Sequence, residues 1–240
     1  MIDFSLSSGL ENIPKAAAGV PFFSSSPWLD CWYTHYARNT DLFLSVSRYS
    51  EGGHWVAPLM VRQQRIRGLP VRVLRFAGTG DLESEEVATE FPDIYSMGCT
   101  PDSNRPLGSI LQATSGNWDV FRADCVMADS VVSRECERLG AWRNEAGWHY
   151  RLDLSGDFTD WLQSLKPSVR QRFKRTMRRS NAAGISMRWA DKSDCDGGLD
   201  VLASLHFKRW QSKDREGVFA SPRFLEFHRD LIRHSTGASR

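Results

Sequence analysis

Seven basic residues and no acid lie between Lys166 and Arg179: Lys166, Arg170, Arg172, Lys174, Arg175, Arg178 and Arg179. Val169, Phe173 and Met177 stand four apart in the same run, which places them on one stripe of a helix. A helix that docks through that stripe presents cations over its remaining surface. Arg175 and Arg179 share a face and can grip one phosphate group, while Arg170 and Lys174 widen the surface. Phosphates of a nucleotide cofactor, a nucleotide-sugar, a lipid-linked sugar or RNA would all suit it. The alternative is a solvated basic helix that pairs with acidic residues elsewhere in the chain.

A second pattern is Arg75-Phe-Ala-Gly78-Thr-Gly80, an Arg-x-x-Gly-x-Gly spacing. Bare backbone amides and glycines that allow close approach can cradle a pyrophosphate in such a turn. Carboxylates follow at once, at Asp81, Glu83, Glu85, Glu86, Glu90 and Asp93. They would oppose a pyrophosphate and compete for the same amides, so a structural turn is expected, with Gly78 and Gly80 as phosphate ligands the alternative. The acidic run itself, Asp81 and Glu86 included, can hold a metal or supply a general base, or can simply be a solvated loop. The six histidines form no metal spacing, and the five cysteines are scattered without a Cys-x-x-Cys pair. That reads as reduced thiols and not as a disulfide frame or zinc site. No nucleophile elbow, Walker loop or dinucleotide fingerprint occurs, and no catalytic residue is assigned.

These residues need elements to position them. A Ser-Ser-Ser-Pro run, Ser24 to Pro27, followed by Trp28, Leu29, Trp32 and Tyr36, predicts a helix over 27–37. Strands are expected over 42–49 and 55–61 around a Glu51-Gly52-Gly53 turn, and over 71–76 after the break at Arg67-Gly68. A short helix opened by Pro106, a strand over 118–122, a helix over 130–139 and a strand over 148–154 follow. From Ser155 the pattern restarts: two helices around Trp161 and over 167–182, a strand over 185–189, and helices over 199–210 and 224–232. Two domains are therefore expected, 1–154 and 155–240. Charge agrees: 18 Lys and Arg face 11 Asp and Glu from Arg151 onward, a balance of +7, whereas the first 150 residues carry 13 against 18, a balance of −5.

The hydrophobic fraction of 41% and charged fraction of 25% exclude a disordered chain. No run of about 18 apolar residues exists, so no membrane span is expected. The opening Met-Ile-Asp-Phe-Ser lacks a basic start and an apolar core, so no signal peptide and a cytoplasmic location are expected.

Helix, three-stranded meander, helix, strand, helix, strand is the element order of the Gcn5-related acetyltransferase (GNAT) fold. In sequence, Phe22 to Trp28, Ala57 to Met60, Leu74 to Gly80, Asp160 to Leu165 and Arg170 to Arg179 resemble the CelD/BcsL-type acetyltransferases, linked to cellulose and exopolysaccharide biosynthesis. That family is similar to the FemAB aminoacyl transferases and looks like a tandem of two GNAT-like folds. The resemblance implies an α/β protein with a first GNAT-like fold nearly complete and a second left incomplete at Arg240. It further implies transfer of an acyl group from acetyl-CoA, or another acyl-CoA, to a small-molecule or saccharide acceptor. If the second fold holds the cofactor, a chain ending at Arg240 is expected to lack that site. Two other classes stay open: a FemAB-like transferase that uses aminoacyl-tRNA, with RNA on the basic helix, and a non-catalytic module that binds a substrate or partner.

Overall fold

A computed structural model of the chain describes residues 4–7, 21–38, 42–50, 53–79, 87, 89–97, 106–145, 147–148, 150, 152, 155–191 and 193–237. By packing, the chain divides into two compact units, Met1–Asn144 with Asp194–Arg240, and Glu145–Ser193.

The first unit is built on a mixed sheet. Strands β1 (Phe4–Ser7), β2 (Leu42–Ser50), β3 (Gly53–Ile66) and β4 (Leu69–Phe76) pair antiparallel in sequence order. The β3–β4 hairpin closes on Arg67-Gly68, both at positive φ (51° and 85°), the two-residue turn whose twist matches the strands it joins. β5 (Tyr95–Met97) takes β3 at residues 54–56, beyond the stretch that β4 occupies. β6 (Val120–Arg122) lies parallel to β4, reached through helix α2 (Pro106–Ala113), and helix α3 (Val131–Arg138) follows it.

Alternation along β3 and β4 sorts their side chains onto two faces. Ala57, Leu59, Val61, Leu74 and Phe76 form one core with Leu107 and Ile110 of α2 and Val132 of α3. Met60 and Ala77 join the opposite core, made with helix α1 (Ser26–Tyr36). Pro27 opens α1, and the expected stripe Trp28, Leu29, Trp32 and Tyr36 is buried together with Cys31. Burial and the neighbouring carboxylates Asp230 and Asp30 push the Cys31 thiol up to about 11, so it behaves as a packing group.

Helices α6 (Cys195–Gln211) and α7 (Pro222–Gly237) pack into this first unit. Phe227 of α7 is completely buried, with its ring 5.1 Å from Trp28 and 5.5 Å from Tyr36. His35 Nε2 meets Asp230 Oδ2 at 2.9 Å beside it. α6 is tied to α7 by Asp200–Arg229 at 2.7 Å and Asp196–Arg233 at 3.3 Å. Packing therefore draws α6 and α7 away from the 155–240 grouping that repeated element order indicates. A domain traced by element order and a unit traced by burial are different objects, and Phe227 is where they part.

The second unit holds helices α4 (Phe158–Ser164) and α5 (Pro167–Ala182). Asp157 caps α4 by accepting from the Thr159 N–H at 2.6 Å. Pro167 opens α5, and Gly184 at φ +67° closes it, with Ile185 N–H donating to Ser180 O and Gly184 N–H to Asn181 O. The strands expected over 148–154 and 185–189 are corrected. The described residues Trp148, Tyr150 and Leu152, and the whole of Ile185–Trp189, carry no strand, and Tyr150 and Trp189 are 100% and 98% exposed. Their period-two apolar pattern is real, but among the described residues neither segment has a ladder neighbour, and an unpaired strand gains nothing from its pattern.

The dependence of α7 on one ring gives a direct test. Phe227→Ala should lower the unfolding free energy by about 3–5 kcal/mol in a denaturant titration, as expected for emptying a closed aromatic site. A loss below about 1 kcal/mol would show that α7 is held by other contacts.

Candidate functional site

The turn that leaves β4 is closed by the chain's own side chains. Gly78 has φ +101°, and a Cβ there would lie 2.1 Å from Thr89 Oγ1 and 3.0 Å from Trp28 Nε1. Trp28 Nε1–H donates to Thr89 Oγ1 at 3.2 Å, and the Thr89 hydroxyl donates to Ala77 O at 3.3 Å. Arg75 is buried, 3.9 Å from Asp124 Oδ2. Gly78 is thus the glycine that lets an indole and a hydroxyl approach the backbone, a structural role that needs no ligand. Gly80, Asp81 and Glu86, together with Glu83 and Glu85, lie outside the described residues.

The helix after β4 is filled in the same way. Its N-terminal amides at Leu107 and Gly108 donate to Glu135 Oε2 at 3.1 and 3.5 Å, and Glu135 is buried. One carboxylate therefore neutralises the end of α2 that would otherwise attract an anion. Asp93 does the same for α3: Oδ2 accepts from Val131 N–H at 3.1 Å and Oδ1 from Val132 N–H at 3.0 Å. Of the acidic run, Asp93 is a helix cap, and among the described residues no group of His, Cys, Asp and Glu has metal-binding geometry.

β4 and β6 are clasped at their start by Arg72 and Asp119. The guanidinium makes a bidentate pair with the carboxylate at 2.7 and 3.2 Å, and Arg72 N–H adds a third bond at 2.8 Å. Those bonds hold the Asp119 carboxyl down to about 2.

On α5 the cations sort by face. Ser168, Gln171, Arg172, Arg175, Arg178, Arg179 and Ala182 line an open cleft of about 600 Å³. The structure thus brings Arg175 and Arg179 together, as expected from their spacing, and adds Arg172 and Arg178. Arg170 instead reaches back to α4, donating to Gln163 O at 2.8 Å, and Lys174 does not line the cleft. Phe173 packs with Trp161 at 5.5 Å and Phe158 at 6.1 Å on α4, while Val169, Phe173 and Met177 all stay exposed. The signal for Arg172 and Arg178 was available: at 100° per residue, they fall with Arg175 and Arg179 within one arc of about 120°.

Residues 167–240 match the family model described as the acetyltransferase (GNAT) domain. No curated protein and no solved structure matches the chain. The match begins at Pro167, the first residue of α5, and runs through α6 and α7. Over this stretch the chain is similar to a GNAT acetyltransferase domain, a class whose activity is acyl transfer. No helix among the described residues is long and apolar enough to cross a membrane.

Two outcomes follow from the closed turn and the clasp. Gly78→Ala should cost about 2–3 kcal/mol, because it meets both a left-handed backbone and the Thr89 hydroxyl, and should leave any coenzyme A affinity unchanged. Selective loss of coenzyme A binding with stability intact would return the turn to a ligand role. For Asp119 the folded pKa lies below the unfolded value of about 4. Its contribution is therefore complete above pH 4 and disappears as pH falls through 2. The stability gap between wild type and Asp119→Asn, followed by denaturant titration from pH 6 to 2, should close in that window; a gap constant down to pH 2 would contradict the clasp.

Proposed function

We propose that this protein is an acyltransferase that moves an acyl group from a coenzyme A thioester to an amine or hydroxyl of a small-molecule or saccharide acceptor. The observation that carries the reading is the GNAT family match over 167–240, beginning at the arginine helix. The CelD/BcsL resemblance of Leu74 to Gly80 and Arg170 to Arg179 supports a setting in exopolysaccharide biosynthesis. In such a reaction the acceptor heteroatom attacks the thioester carbonyl, the C–S bond breaks, and the acceptor's proton ends on the departing thiol or on solvent.

Among the described residues of the first unit, two features able to cradle a pyrophosphate are taken: Thr89 and Trp28 close in on Gly78, and Glu135 fills the start of α2. In this reading the first unit is a non-catalytic partner fold that carries α6 and α7 on its α1 face, and the donor binds elsewhere. The parallel β4–β6 pair joined by a helical crossover is the feature of the first unit that favours a GNAT-like plan.

The test is acceptor-dependent thiol release from acetyl-CoA and longer acyl-CoAs, against a panel of amines, amino sugars and polyols. Thiol release that requires both acceptor and folded protein is expected. Its absence with every pairing, in protein shown to be folded by circular dichroism, would contradict the proposal.

A further inference from the structure

The four cleft arginines form a bounded patch. At 100° and 1.5 Å per residue, Arg172, Arg175, Arg178 and Arg179 fall within an arc of about 120° and an axial length of about 10 Å. Among the described residues, no hydrogen bond or ion pair engages any of the four guanidinium groups, although Arg170 on the same helix has one. Ser168 stands at one end of the cleft and Ala182 at the other, so the charge stops at both ends.

That outline selects a ligand class. A nucleic-acid backbone would need a stripe of charge running on past the helix ends. A lipid surface would need the cations to rim the apolar stripe, so that both meet the membrane together. Here the arginine face centres roughly 150° round the helix from Val169, Phe173 and Met177, with Arg172 at its edge nearest that stripe, and Phe173, though partly exposed, packs on α4. A compact ligand with several phosphate oxygens fits instead. Two guanidinium forks can take one phosphoryl group in bidentate fashion, and four can take two adjacent groups.

We propose that the α5 face formed by Arg172, Arg175, Arg178 and Arg179 is a binding site for an organic diphosphate, the P–O–P unit shared by coenzyme A and by nucleoside-diphosphate sugars. The site stands on the geometry of α5 and not on acyl transfer: diphosphate binding can hold where thiol release fails, and the reverse. Ser168 and Gln171 add neutral donors at the N-terminal end, suited to the ligand's remaining oxygens.

The experiment is calorimetric titration of the full chain with inorganic pyrophosphate, then with inorganic phosphate. Pyrophosphate should bind at one site per chain and at least tenfold more tightly than phosphate. Arg175→Ala and Arg179→Ala should each weaken it at least tenfold, and Arg172→Ala and Arg178→Ala at least threefold. Arg175→Lys, which keeps charge but loses the fork, should fall between wild type and Arg175→Ala. Lys174→Ala, on the same helix but off the cleft, should stay within twofold. All five positions are exposed on the helix, so circular dichroism should report an unchanged fold. Competition by coenzyme A would assign the site to the donor, and competition by uridine diphosphate to an acceptor; either supports the proposal, and failure of both overturns it. Changes below threefold in Arg175→Ala and Arg179→Ala, an equal loss in Lys174→Ala, or tighter binding of a single-stranded RNA or of anionic vesicles would each overturn it as well.

Discussion

Trp28 is held from several directions at once, and one of the two cores of the first unit is arranged around it. Its ring packs edge-on against Phe23 at 4.7 Å and Phe227 at 5.1 Å, and its N–H is bonded to Thr89. A single indole therefore joins α1, the exit of β4, the segment at Thr89 and α7. Because its Nε1 would stand 3.0 Å from a Cβ on Gly78, the β4 exit must stay a glycine at positive φ. The contact that stabilises the unit is the same one that closes its glycine turn to a ligand. Stability and anion binding compete here for one set of backbone atoms, and packing has taken them.

The electrostatics follow the same division. Of the acidic run from Asp81 to Asp93, Asp93 caps α3, and two carboxylates outside that run cap helix ends in the same way, Glu135 on α2 and Asp157 on α4. Among the described residues the arginines of α5 have no such intramolecular use, apart from Arg170. Across the chain this appears as a −5 balance before residue 151 and a +7 balance after it.

Much of the fold was legible because it depends on local chemistry. The α1 stripe, the Arg67-Gly68 turn, the Pro106 and Pro167 helix starts and the Gly184 stop each follow from a few adjacent residues. What failed depends on partners far away in sequence. Trp148-x-Tyr150-x-Leu152 and Ile185-x-Met187-x-Trp189 have strand periodicity, but periodicity cannot supply a neighbouring strand. Phe224 to Ile232 reads as an amphipathic helix, yet nothing in its pattern names Trp28 and Tyr36 as what Phe227 will meet. The site divides similarly. The shared face of Arg175 and Arg179 was visible from an i, i+4 spacing, whereas the bond of Arg170 to the Gln163 carbonyl crosses a helix–helix turn and has no signature within the basic run. The closure of Gly78 rests on Thr89, whose hydroxyl no glycine pattern includes.

The central claim is that phosphate recognition belongs to the arginine face of α5 and not to the glycine turn after β4. Backbone amide resonances of isotopically labelled protein, followed during addition of coenzyme A, test it most directly. The account predicts shifts concentrated in residues 168–182, with Gly78, Leu107 and Gly108 unmoved because Thr89, Trp28 and Glu135 already occupy their surroundings. Shifts centred on Ala77 to Thr79 and Leu107 to Gly108, with α5 silent, would contradict it.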